Sequence, residues 1–322
     1  MSESSMNRRR ALTALGALSG VAITPSMASA AVVASHEPAI LKAAPAFVPC
    51  LNMSTLRGHK LGFVKELETV SKAGFRSVEI WVDTLQNYLK GGGTAAEARR
   101  ILGDLGIKIE NAIGFAPWII SDDAARAKGL DQLKREMEQL AEVGCRRTAA
   151  PAVGATDPKG EKLDLRKVAE RYRAILELGD QTGVVPHLEL WGFSHNLNRL
   201  SDVMYVAIES GHPKARVLLD VYHLYKGGSS LDSLPLVGPA AIEVFHVNDY
   251  PANMPRETIV DADRVYPGDG VAPIQDILRK IKTDGKTIVL SLEVFNKGYY
   301  AQDAAVVAKT SFEKMKKMIG AV

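Results

Sequence analysis

One repeated unit constrains this chain more than any other feature: a short apolar β-like stretch, a loop, an amphipathic helical stretch and a glycine. Candidate strands are 49–55, 77–83, 108–115, 145–151, 184–192, 216–225, 242–250 and 287–295. Apolar residues recur at three and four spacing over 60–74, 95–106, 124–144, 165–183, 198–211, 271–285 and 302–320, which predicts helices there. Gly74, Gly106, Gly144, Gly183, Gly211 and Gly285 punctuate the helix ends, as suits the left-handed position just past a helix. Alternating strands and helices mean parallel pairing with crossover helices. Eight units in 322 residues favour a closed, single-domain (β/α)8 barrel over an open doubly wound sheet.

In such a barrel the carboxyl ends of the strands converge on one face. Four of the apolar stretches carry a metal-capable residue near that end: Glu189 in HLELW, Asp220 in VLLDVYH, His246 in EVFHVND and Glu293 in VLSLEVF. A charged side chain in an apolar strand is costly unless it is paired, metal-bound or at the strand's end. A structural salt bridge explains any one of them as well; four on successive strands point to a shared metal site. Three carboxylates and one imidazole would accept manganese, magnesium, cobalt or zinc. Glu189 and Glu293 would flank the cation. Two carboxylates flanking a metal-held carbonyl suit proton transfer at the neighbouring carbon, through an enediolate that the metal stabilises.

Other residues fall near the same strand ends. His223, three residues past Asp220, is placed to contact a substrate hydroxyl or to serve as a loop histidine. Asn248 and Asp249 follow His246 and can orient its imidazole, with Asp249 also readable as a spare ligand. Arg264, in the glycine-rich DADRVYPGDG loop, suits a hydroxyl, carbonyl or carboxylate of substrate, or ties the loop down. His195 in WGFSHN, Glu79 at the end of the second strand and Trp191 complete the candidate substrate contacts. Trp81, Trp118 and Trp191 can stack on a sugar ring or pack in the core.

Residues 1–30 read as an export signal of the twin-arginine type: Arg8-Arg9-Arg10, an apolar run from Ala11 to Ile23, and the small-residue Ala28-Ser29-Ala30 pattern. The run is short for a membrane span, so the expectation is a periplasmic or exported protein with no stable membrane insertion after signal removal. Residues 31–47 read as an Ala-rich linker, and 48–322 as the barrel. The net charge of +3 comes without a basic patch interleaved with aromatics, which argues against a nucleic-acid partner. Cys50 and Cys145 sit in β-like segments outside any CxxC pattern and read as two buried thiols.

Glu189, Asp220 with His223, His246 and Glu293 resemble, in order, the metal site of the xylose isomerase-like TIM barrels (the sugar phosphate isomerase/epimerase superfamily). HVNDYP followed by DADRVYPGDGV is most similar to the inosose isomerase branch. The resemblance covers about residues 48–320. It implies one divalent cation, most often manganese, held by the four residues, with Glu189 and Glu293 as acid and base and pairing into a homodimer or homotetramer. Ketose 3-epimerases place a further glutamate where this chain has His195, a departure that argues against that activity. The expected function is therefore a metal-dependent isomerase or epimerase of a keto-sugar or cyclitol, a small-molecule substrate. A lyase or hydratase acting on 3-keto-glycosides or inosose would use the same enediolate. A non-catalytic carbohydrate-binding protein is the alternative of another class.

Overall fold

A computed structural model describes residues 45–322; the expected export signal and nearly all of the expected linker lie outside the described residues. Eight strands form one sheet: β1 Phe47–Asn52, β2 Ser77–Trp81, β3 Lys108–Ile113, β4 Arg147–Ala150, β5 Val185–Glu189, β6 Val217–Asp220, β7 Val244–Val247 and β8 Ile288–Leu292. The helices are α1 Phe63–Ala73, α2 Val82–Lys90, α3 Ala95–Leu105, α4 Asp123–Glu142, α5 Leu165–Thr182, α6 Leu200–Glu209, α7 Val221–Gly227, α8 Ile274–Ile281, α9 Lys297–Tyr300 and α10 Ala304–Ile319. All ladders are parallel, and the order is β3-β2-β1-β8-β7-β6-β5-β4. Because β1 pairs with β8, the sheet rolls into a nearly closed (β/α)8 barrel. Among the described residues no ladder joins β3 to β4. Side chains bridge that seam instead: Thr148 Oγ1 donates to the Ala112 carbonyl at 3.3 Å and Arg147 Nη1 to the Glu110 carbonyl at 3.1 Å.

Helices pack on the outside through stripes that were legible as spacing. In α8, Ile274, Ile277, Leu278 and Ile281 are all buried, and burying each such side chain is worth about 1.5–3 kcal/mol. The barrel interior is filled by a separate cluster from the strands, including Cys50, Ile113, Ala149, Leu218, Val244 and Val289. Cys50 and Cys145 are both buried free thiols. Among the described residues no helix is long and apolar enough to cross a membrane.

Every expected strand runs past its observed end, and in two of them the excess is α-helix. The 216–225 stretch is strand only to Asp220 and then turns into α7, and 77–83 becomes α2 at Val82. A short apolar run fits a strand or one face of a buried helix equally well, so its period does not decide. What decides at Asp220 is capping: its carboxylate accepts the His223 backbone N–H at 2.9 Å and starts the helix. The first strand also starts earlier than expected, at Phe47.

The end of the barrel away from the strand carboxyl termini holds an ionic network. Arg147 Nε and Arg216 Nε grip the two carboxylate oxygens of Glu243 at 2.7 and 2.8 Å, and Arg147 Nη1 also reaches Glu110 at 3.2 Å. Burial pushes the Glu243 carboxyl up, but Arg147, His187 and Arg216 outweigh it and hold it down at about 2, and Lys286 adds to the positive surroundings. A depressed carboxyl stabilises the fold above its unfolded pKa and loses that contribution as pH falls through the folded one. Glu243→Gln is expected to cost roughly 2 kcal/mol at neutral pH, allowing for solvent screening of a part-exposed group. In urea unfolding the gap from the parent protein should close as pH drops from about 4.5 towards about 2.

Candidate metal centre

The strand carboxyl ends bring the predicted residues together. Glu189 ends β5, Asp220 ends β6, His246 lies in β7 and Glu293 directly follows β8. One potential ligand atom from each of Asp220, His246 and Glu293 lies within 4.8 Å of the others, and all three residues are buried. Glu189 stands outside that triad. Four buried polar atoms here lack a hydrogen-bond partner, Asn111 Oδ1, Arg264 Nε, Glu189 Oε2 and His246 Nδ1, and the last two are potential ligand atoms. His246 Nδ1 lies 3.3 Å from Glu293 Oε2 and 3.9 Å from Asp220 Oδ2. Unsatisfied buried lone pairs of this kind, within a set of oxygen and imidazole donors, fit a divalent cation.

Glu79, expected among the substrate contacts, is instead fully buried beneath the imidazole. It lies 2.9 Å from His246 Nε2 and accepts hydrogen bonds from Asn52 Nδ2 (2.9 Å), Asn111 Nδ2 (2.6 Å) and Ser291 Oγ (2.7 Å). That contact turns Nδ1 towards Glu293 and Asp220. Asn248 and Asp249, expected to orient the imidazole, do other work. Asn248 Nδ2 donates to Asp220 Oδ2 at 2.9 Å. The Asp249 carboxylate accepts the backbone N–H groups of Tyr250, Gly268 and Ala272, which makes it a loop anchor rather than a spare ligand. Gly270 is required beside it, since a Cβ there would collide with the Tyr250 carbonyl and the Asp249 carboxylate.

The loop so anchored carries Arg264, which is 1% exposed despite its charge. Its Nη1 bonds Glu293 Oε2 at 2.8 Å and Asp220 Oδ2 at 3.1 Å, and its Nη2 meets His223 Nε2 at 3.1 Å and the Asp261 carboxylate. The guanidinium carbon sits over the Tyr222 ring, 4.3 Å from its centroid. Burial raises the Asp220 carboxyl, with Arg264 opposing. Burial likewise disfavours a charged His246, but Glu79 and Glu293 outweigh it and its pKa is well raised. His223 is pushed down by burial and Arg264, and so stays neutral. Burial lifts Glu189 to about 8, against the pull of His246.

Above these groups is a cavity of about 210 Å³. Glu189, His223, Arg264 and Glu293 reach it, walled by Trp81, Trp191 and other aromatics. Phe115 bridges the two tryptophans, with ring centroids 5.1 Å from Trp81 and 6.3 Å from Trp191. Trp118 is buried away from it, its indole N–H on the Pro151 carbonyl at 2.9 Å. His195 does not line the cavity; its backbone N–H donates to the Thr156 carbonyl and its carbonyl accepts from Lys162 Nζ. Asn52, Asn111 and Ser291 were missed in the sequence, although each is a polar residue inside an apolar strand, the same signal that marked the metal-capable four.

A family model described as a xylose isomerase-like TIM barrel matches residues 67–318. The chain belongs to this family. Inosose isomerase of Bacillus velezensis is 26% identical over 269 residues, covering 82% of this chain and 94% of the relative. 3-Dehydroshikimate dehydratase of Pseudomonas putida is 26% identical over 74% of this chain, which spans only 36% of that longer protein. A crystal structure of an IOLI protein with a bound zinc atom superposes with a TM-score of 0.75 at 22% identity, covering 85% of this chain and 98% of that one.

The buried position of Glu79 carries a prediction. Residues that orient a metal-ligating imidazole typically set metal affinity within a factor of 10–100. Glu79→Gln is expected to weaken divalent-cation binding by about that factor, measured by calorimetric titration of the chelator-stripped protein.

Proposed function

We propose that this family member is a divalent-cation-dependent isomerase or epimerase of a sugar or cyclitol that carries a ketone. The observation that carries the reading is the order of the strand ends. Glu189 on β5 and Glu293 on β8 flank Asp220 on β6 and His246 on β7, with aromatic walls and an arginine above them. Glu189, Asp220, His246 and Glu293 would hold the cation; manganese, magnesium, cobalt and zinc all suit the donor set. When bound, the cation supplies positive charge for a substrate carbonyl.

The remaining steps belong to the chain's own residues. One glutamate takes the proton from the carbon beside the ketone, and the electron pair moves onto the carbonyl oxygen. The other glutamate returns a proton. In an epimerase it goes to the opposite face of that carbon, where the same carbonyl re-forms. In an isomerase it goes to the former carbonyl carbon, the hydroxyl proton of the first carbon passes to the old carbonyl oxygen, and a new carbonyl forms on the first carbon. Arg264 and neutral His223 hydrogen-bond substrate oxygens, and Trp81, Trp191 and Phe115 cover the ring and exclude water. The basic and apolar stretch of residues 1–30 supports a role outside the cytoplasm. The dehydratase relative favours one second reading, in which the same proton removal is followed by loss of water.

The test is solvent-deuterium uptake into inososes and keto-sugars, with chelator-stripped protein reloaded with each of the four cations. Uptake beside the carbonyl with mass otherwise conserved is expected, dependent on the cation and reduced about 100-fold or more in Glu189→Gln and in Glu293→Gln. Loss of water would transfer the protein to the dehydratase reading. Exchange that survives both substitutions together would overturn the assignment of the glutamates.

A further inference from the structure

A second hollow, about 690 Å³, opens between the turn after β1 and helix α2 after β2, on the carboxyl-end face that holds the metal centre. Arg57, Lys60, Glu66, Asp83, Asn87 and Tyr88 line it. It adjoins the metal-centre cavity through one shared wall. The Arg57 guanidinium lies on the Trp81 ring, 3.6 Å from its centroid, and Trp81 lines the smaller cavity from the other side. Asp83 holds Arg57 in place, with Nη1 to Oδ1 at 3.1 Å. Trp81 is fixed to the centre as well: its indole N–H donates to Ser54 Oγ at 2.9 Å, and Ser54 Oγ donates to Glu293 Oε1 at 3.3 Å.

Two observations say what the larger hollow takes. Glu66 is 5% exposed and lines it, and its carboxyl oxygens are absent from the buried, sealed-off polar atoms, so what remains accessible of this side chain opens onto the hollow. A carboxyl set back in a hollow in this way is an acceptor for the hydroxyl groups a ligand brings to it. The second observation is size. The metal-centre cavity, at about 210 Å³, falls below the ~300–1,000 Å³ of small-molecule pockets, whereas the adjoining hollow lies within that range. Carboxyl and amide groups from Glu66, Asp83 and Asn87, beside the packed rings of Phe63 and Tyr88 with centroids 5.1 Å apart, are the mixture that binds a sugar's hydroxyls and apolar face.

We propose that this hollow is a second sugar subsite, and that the substrate is a glycoside. Its ketone-bearing ring sits over the metal centre and a second ring lies past Trp81 against Glu66, Asp83 and Asn87. This rests on the function proposed above and names its substrate class.

The test separates the two. Binding of cellobiose, maltose, methyl glucoside and glucose 1-phosphate to the metal-loaded full chain is measured by ligand-observed NMR titration, for the parent, Asn87→Trp and Glu66→Gln. Asn87 is exposed, so the tryptophan fills the hollow without disturbing the core. At least one disaccharide should bind about 10-fold or more tightly than methyl glucoside, and Asn87→Trp should remove that advantage, with Glu66→Gln reducing it. Deuterium uptake into 3-keto-disaccharide against 3-keto-glucose should show the same split in KM. Equal affinity for one ring and two, or an advantage untouched by Asn87→Trp, overturns the subsite. Preference for glucose 1-phosphate overturns it in favour of an anion site. Absence of exchange with either ketone counts against the proposed function, while the binding data still judge the subsite.

Discussion

The contact on which the functional end of this barrel depends is that of Arg264 with Asp220 and Glu293. Four carboxylates, Glu79, Glu189, Asp220 and Glu293, are buried together at the strand ends, an arrangement that repels itself unless positive charge is brought among them. Arg264 brings it from a loop rather than from a strand, at 3.1 Å from Asp220 and 2.8 Å from Glu293. That demand explains the construction of the loop. Asp249 ties its two ends by three backbone hydrogen bonds, an isolated antiparallel bridge joins Asp249 to Val265, and Gly270 leaves room for the turn.

The two ends of the barrel divide their labour. At the amino end, Glu243 is clasped by Arg147 and Arg216, charges pair closely, and the effect is to tie strand starts together where the β3–β4 ladder is missing. At the carboxyl end the pairing is incomplete: Glu189 Oε2 and His246 Nδ1 are buried and unpartnered. Stability is gained where polar groups are satisfied, and reactivity is stored where they are left waiting for a ligand. The relatives named above, an inosose isomerase and a 3-dehydroshikimate dehydratase, differ in overall reaction.

Much of this was legible before any fold was known. The alternation of apolar runs, helical stripes and glycines specified parallel strands with crossover helices, because each element buries one face and only that arrangement buries them all. Glu189, Asp220, His246 and Glu293 stood out because charge inside an apolar strand needs a reason. Other site residues carried the same signal more faintly: Asn52, Asn111 and Ser291 are also polar groups within apolar strands, but neutral side chains are cheaper to bury and attract less notice. Asp249 differs from its expected role because adjacency to His246 along the chain is not contact in space, and Glu79 because its strand runs on to Trp81 and leaves it inside the barrel under the imidazole.

The sequence by itself determined the barrel, the strand ends that bear the metal-capable residues, and the helix stops, since these follow from local periodicity and backbone preference. Tertiary structure alone decided that 221–227 turns into a helix capped by Asp220, that Glu79 lies under the imidazole of a residue far along the chain, and that Arg264 reaches back between two carboxylates. It also decided that Trp81 separates two hollows. The physical reason is that burial, charge balance and cavity shape are properties of residues distant in sequence, so they exist only once the sheet has rolled up.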